Sequence, residues 1–64
     1  MKDLIECKAL FIDVHQHYLQ WHDDETRKRF EFCADLLCFI YGDDFKTKKA
    51  NWIQESLNDF FSDL

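Results

Sequence analysis

From Met1 to Tyr41 the chain carries no glycine; Gly42 is its one glycine, and it has no proline anywhere. Those two residues are the strongest breaks a backbone has: in a helix interior glycine costs about 1 kcal/mol and proline about 3 kcal/mol relative to alanine. A chain almost without them has little to stop a helix once it has started. Long helices are therefore the expected form, and 64 residues leave room for one domain, 1–64.

The apolar pattern divides the chain into three. Leu4, Cys7, Phe11, Val14, Tyr18 and Trp21 recur in steps of three and four, the seam spacing of helices that pack side by side. Asp3, with Glu6 three residues later, forms a capping-box pattern ahead of that seam. A first helix over about 4–21 follows. A second line on the same helix, Ile5, Ile12 and Leu19, repeats every seven residues. It lies roughly 100° around the helix from the first, a face wide enough for two neighbours.

Asp23, Asp24 and Glu25 open a second helix, 24–41, with acids at the positive end of its dipole. Gly42 can close it in the left-handed conformation. Phe30, Cys33, Ala34, Leu36, Leu37, Ile40 and Tyr41 make its main face, and Phe32 and Phe39 stand on the opposite side. A third helix begins somewhere in 44–48, with Asp44 or Thr47 as its cap, and runs to about 62. Ala50, Ile53, Leu57, Phe60, Phe61 and Leu64 form its stripe, with Trp52 at the rim. Short connections favour antiparallel neighbours, so the expected fold is all-α, a three-helix up-down-up bundle with helices near 4–21, 24–41 and 46–62.

The 23 large apolar residues of the chain exceed what one narrow interior holds. Ile5, Ile12, Leu19, Phe32 and Phe39 are the surplus, and burying each is worth about 1.5–3 kcal/mol. Leaving all five wet would give a sticky, weak monomer. A homodimer, or another protein, is the expected cover. Trp21 and Trp52 join the candidate contacts, because tryptophan buries much area and concentrates at binding hot spots.

Several chemistries are disfavoured. Three cysteines, an odd number with no signal-peptide pattern, point to a reducing cytoplasmic setting and to thiols packed on apolar faces. The longest apolar run, Leu36 to Tyr41, is far too short to span a membrane. Glycine-rich phosphate loops are absent, and three short helices rarely enclose the concave site a nucleophile, base and oxyanion donor require, so no enzyme is expected. In "HQHYLQWHDD", His15 and His22 are seven apart and share a face, while His17 points about 200° away from His15. A helical metal clamp wants histidines four apart, so no metal or other cofactor is expected, and a metal-binding protein that uses His15 and His22 stands only as a further alternative. If His15 borders a dimer seam, assembly should respond to pH.

Net charge is −5, the wrong sign for most nucleic-acid binders. The alternative footholds are Arg27, Lys28 and Arg29 in "TRKR" and Lys46, Lys48 and Lys49 in "KTKK". They lie at opposite ends of the second helix, about 25 Å apart. The three lysines also oppose the dipole of the third helix, by a few tenths of a kcal/mol each. Around Gly42, "CFIYGDDFKTKK" resembles the DNA-reading helix-turn-helix in the small Cys38 four residues before the glycine. It departs at Lys48, where that pattern wants a buried apolar residue. A resemblance of that kind implies a small dimeric DNA-binding transcriptional regulator.

Acidic residues suggest the reverse. Glu6 and Asp13, Glu31 and Asp35, and Glu55 and Asp59 form rows on the polar faces of the three helices. Rows of that kind can imitate a phosphate track and occupy a basic groove. A tiny, acidic, aromatic-rich chain without catalytic equipment fits a stoichiometric inhibitor of the type phages make against host defences. The function read from the sequence is a non-enzymatic interaction module.

Overall fold

A computed structural model describes residues 3–62 and contains three helices: α1 (Leu4–Trp21), α2 (Asp24–Tyr41) and α3 (Asp44–Ser62). Leu64 of the expected α3 stripe lies outside the described residues. Asp3 sits in extended backbone and its carboxylate accepts the Glu6 N–H at 2.8 Å. That bond satisfies one of the donors every helix start leaves open. α1 stops at His22, which adopts φ 52°, ψ 31° and donates its N–H to the Tyr18 carbonyl at 2.9 Å. Asp23 then caps α2 twice over, accepting both the N–H and the Oγ1–H of Thr26 at 2.8 Å. Those bonds favour the charged carboxylate and hold the Asp23 pKa below its ordinary value.

Gly42 ends α2 with φ 65°, ψ −137°, and its N–H reaches the Cys38 carbonyl at 2.7 Å. A side chain would strain that backbone. α3 starts at Asp44, because Phe45 and Lys46 donate at once to the carbonyls of Gly42 and Asp43 (3.1 and 3.2 Å). The helix is therefore under way before Thr47, at the early end of the 44–48 range that the sequence pattern allows.

Pairings along the helices fix their directions. Cys7 near the start of α1 is hydrogen-bonded to Tyr41 at the end of α2, while Tyr18 near the end of α1 stacks on Phe30 at 6.0 Å. α1 and α2 are antiparallel. Phe11 meets Trp52, His15 meets Ser56 and Gln16 meets Asp59, so α1 and α3 run the same way. All three helix pairs touch, which closes an up-down-up bundle of about 32 × 24 × 19 Å.

The core is an aromatic knot. Phe11 and Phe45 are fully buried, with ring centroids 5.7 Å apart and edge-on, and Trp52 stands 5.7 and 5.8 Å from them. Cys7, Cys33, Ala34 and Leu37 complete it.

Five sequence expectations are corrected here. Trp52 is a core residue, 6% exposed, not a rim contact. α3 is rolled so that Phe45, Trp52 and Ser56 face inward, which leaves Ile53, Leu57 and Phe60 half-buried and Ala50 and Phe61 exposed. Phe45 and Trp52 thus bring two large rings into the interior, where they meet Phe11. Leu36 and Ile40 point outward, and Cys38 is an exposed thiol rather than packing. Of the five surplus residues, Ile12 and Leu19 are half-buried. Their line borders the flank where Lys8 and Gln16 bridge α1 to α3, so the neighbouring helix shades them.

Candidate interaction surface

The chain exposes 4870 Å², where a folded monomer of 7.8 kDa averages about 4,400 Å². Part of the excess is the outward side of α2. Phe39 is 91% exposed and Phe32 66%, and Leu36 and Ile40 are each nearly half exposed. Steps of four and three from 32 to 36 to 39 put Phe32, Leu36 and Phe39 on one stripe. Beside that stripe runs an open groove of about 250 Å³ between α1 and α2, lined by Leu10, Val14, Arg29, Phe32, Cys33 and Leu36. Trp21, also exposed, lies on the flank of α1 that carries Leu10 and Val14. Ile5, 78% exposed, stands apart on the α3 side of α1. The structure thus gathers Phe32 and Phe39 with Leu36 and Ile40, which the sequence pattern assigned to the main face of α2, and with Leu10, which it assigned to no face.

The histidines divide. His15 is buried, not at a seam: its Nδ1 lies 2.7 Å from the Ser56 hydroxyl, and its ring packs parallel to Phe11 and 5.0 Å from Phe30. Burial pushes its pKa below the ordinary 6.5. His17 bonds to the Asp13 carbonyl, and His22 caps α1 with its ring against Tyr18. Among the described residues no three His, Cys, Asp or Glu side chains meet in a group that could hold a metal ion. Ser56, the partner of His15, was missed. Its signal is the spacing 45–52–56, which places it under Trp52 on the aromatic face of α3.

The charges do not gather into one face. Glu55 is paired with Lys8 at 2.8 Å, and Asp59 accepts from Gln16 at 2.9 Å, so both serve the α1–α3 contact. Glu6 and Asp13 lie on the solvent side of α1, and Glu31 and Asp35 on that of α2. Arg27 pairs with Asp24 and Arg29 with Glu25 within α2. Lys48 is half-buried with its ammonium over the Tyr41 ring at 5.8 Å, and Lys28 and Lys46 are exposed. Lys49 is half-buried. At Lys48 the helix-turn-helix pattern would need a buried apolar side chain, and the cation there covers a ring instead. Among the described residues no helix is long and apolar enough to cross a membrane.

Compared with protein-family models, with curated proteins and with solved structures, the chain matches none.

Proposed function

We propose that this chain is a non-enzymatic interaction module that occludes a macromolecular partner in the cytoplasm, in the manner of a phage-type stoichiometric inhibitor. The observation that carries the reading is the apolar stripe of α2, Phe32, Leu36 and Phe39, standing in water beside a lined groove. Exposed aromatic side chains cost a lone chain solubility and give it little stability, so a contiguous set of them marks a contact surface. The four acids that remain turned to solvent, Glu6, Asp13, Glu31 and Asp35, together with the net charge of −5, favour a basic rim on that partner.

Immobilised wild type and the Phe32→Asp/Phe39→Asp variant, the latter checked for intact helicity, provide the test with lysate of the source cell. A specific retained protein should bind the variant at least tenfold less well, as expected when hot-spot rings are removed. Equal retention by the folded variant would overturn the assignment of this face.

A further inference from the structure

We propose that the groove between α1 and α2 seats an amphipathic helix of a partner protein, one that carries lysine or arginine along both edges of its apolar stripe. The proposal rests on the reading of this side of the molecule as contact surface and names the chemistry of the partner.

The groove has an apolar floor and two acidic rims. Leu10 and Val14 of α1 and Phe32, Cys33 and Leu36 of α2 form the floor. On α1, Glu6, Leu10, Asp13 and His17 follow one another in steps of four, three and four, so two carboxylates share the face of Leu10. They stand about 40° and about 60° beyond it on the helical wheel, away from the core. On α2, Asp35 lies between Phe32 and Phe39 along the helix, and about 40° outside Phe39 around it. The pairings of Cys7 with Tyr41 and of Tyr18 with Phe30 fix the register of the two helices. Asp13, six residues after Cys7, is therefore level with Asp35, six before Tyr41, on the opposite rim.

These acids are turned to solvent. Glu6, Asp13 and Asp35 are exposed, and among the described residues neither Glu6 nor Asp35 enters an ion pair. Asp13 has the exposed His17 at 3.7 Å. The basic side chains on this flank of α2, Lys28 and Arg29, lie about two turns before Asp35, and Arg29 is held by Glu25 at 2.7 Å.

Floor and rims together select the occupant. A groove between two helices lying side by side suits a further helix, whose side-chain ridges fit into it. The described residues form no strand, so they offer an extended peptide no sheet edge to pair with. A helix that lays residues i, i+3, i+4 and i+7 on the floor matches Phe32 to Phe39, seven residues apart and about 10 Å along the axis. Its two edges then run beside Glu6 and Asp13 on one side and Asp35 on the other. Positive edges are attracted there and negative edges are repelled, so charge sets the class of partner.

Synthetic helices as long as α2, labelled for fluorescence anisotropy, test this on the full chain. A peptide with a leucine stripe and lysine edges should bind. The same composition with the stripe scrambled, and the same stripe with glutamate edges, should each bind about tenfold more weakly or worse. Asp13→Lys/Asp35→Lys should reverse the preference, weakening the lysine helix and strengthening the glutamate helix, and a reversal excludes misfolding as the cause. Failure of the lysine helix to bind overturns the proposal, as does equal binding of the scrambled peptide or a double variant without the reversal. A wild type that sediments at twice 7.8 kDa and takes up no peptide overturns it in favour of a second copy. Glutamate and lysine helices bound equally, and both lost in Phe32→Asp/Phe39→Asp, overturn the basic partner and leave the contact surface standing. Undiminished binding by that variant overturns both.

Discussion

Phe11→Ala is expected to leave a chain without a cooperative unfolding transition. Phe11 is fully buried, and four rings surround it: Phe30 at 5.3 Å, Phe45 and Trp52 at 5.7 Å, and His15 at 6.4 Å. Through it α1 touches both other helices. Truncating a buried phenylalanine costs about 3–5 kcal/mol through lost transfer energy and the cavity left behind. A core in a chain of this size rarely supplies more than about 3–5 kcal/mol in total. The substitution therefore removes stability equal to the whole, and the near-ultraviolet dichroism of the packed Trp52 should vanish. A variant with a sharp melt and that signal intact would show that α1 is held chiefly by other contacts.

The second large effect is on pH. Burial depresses the pKa of His15 below 6.5, so the unfolded chain takes up a proton before the folded chain does. The stability that neutral His15 contributes is complete above about pH 6.5 and is lost as pH falls from there to the depressed folded-state value, by at most about 1.4 kcal/mol per pH unit. This window lies above that of Asp23, whose own lowered pKa makes its contribution disappear only in the ordinary carboxylate range and below. Urea midpoints at about pH 7.5 and about pH 5.5 should therefore differ, the lower pH being weaker. Ser56→Ala leaves the His15 Nδ1 without its hydroxyl and should cost about 1–3 kcal/mol. His15→Leu/Ser56→Ala removes both polar groups and should flatten the pH dependence while recovering much of that loss. Equal wild-type midpoints at the two pH values would contradict a buried neutral histidine.

The helices were legible because local rules govern them. Asp3 caps three residues before Glu6 and Asp23 caps ahead of the acids Asp24 and Glu25, as their places in the sequence say, and Gly42 ends α2 at the one glycine the chain offers. The roll of each helix was less legible. On α3 two stripes compete: periodicity favoured the one with Ile53, Leu57 and Phe60, and the one with Phe45, Trp52 and Ser56 faces inward. On α2 the run from Leu36 to Tyr41 is apolar at nearly every position, so pattern alone cannot say which of Leu36, Leu37 and Ile40 turns inward. His15 was the hardest case. A histidine between two apolar lines reads as a border residue, and only Ser56, 41 positions away, makes its burial tolerable. Exposure of Phe32 and Phe39 was legible from their seven-residue spacing opposite the main face.

The central claim is that the α2 stripe contributes to association and not to the fold of a single chain. Melting temperature as a function of protein concentration tests it most directly, for wild type and for Phe32→Ser/Phe39→Ser. At high dilution, where nothing covers the stripe, wild type and variant should melt at the same temperature, and any rise of the wild-type midpoint with concentration that the variant lacks reports association through the stripe. A variant that melts well below the wild type even at the dilute limit would mean that those rings hold the lone bundle together, and would contradict the account.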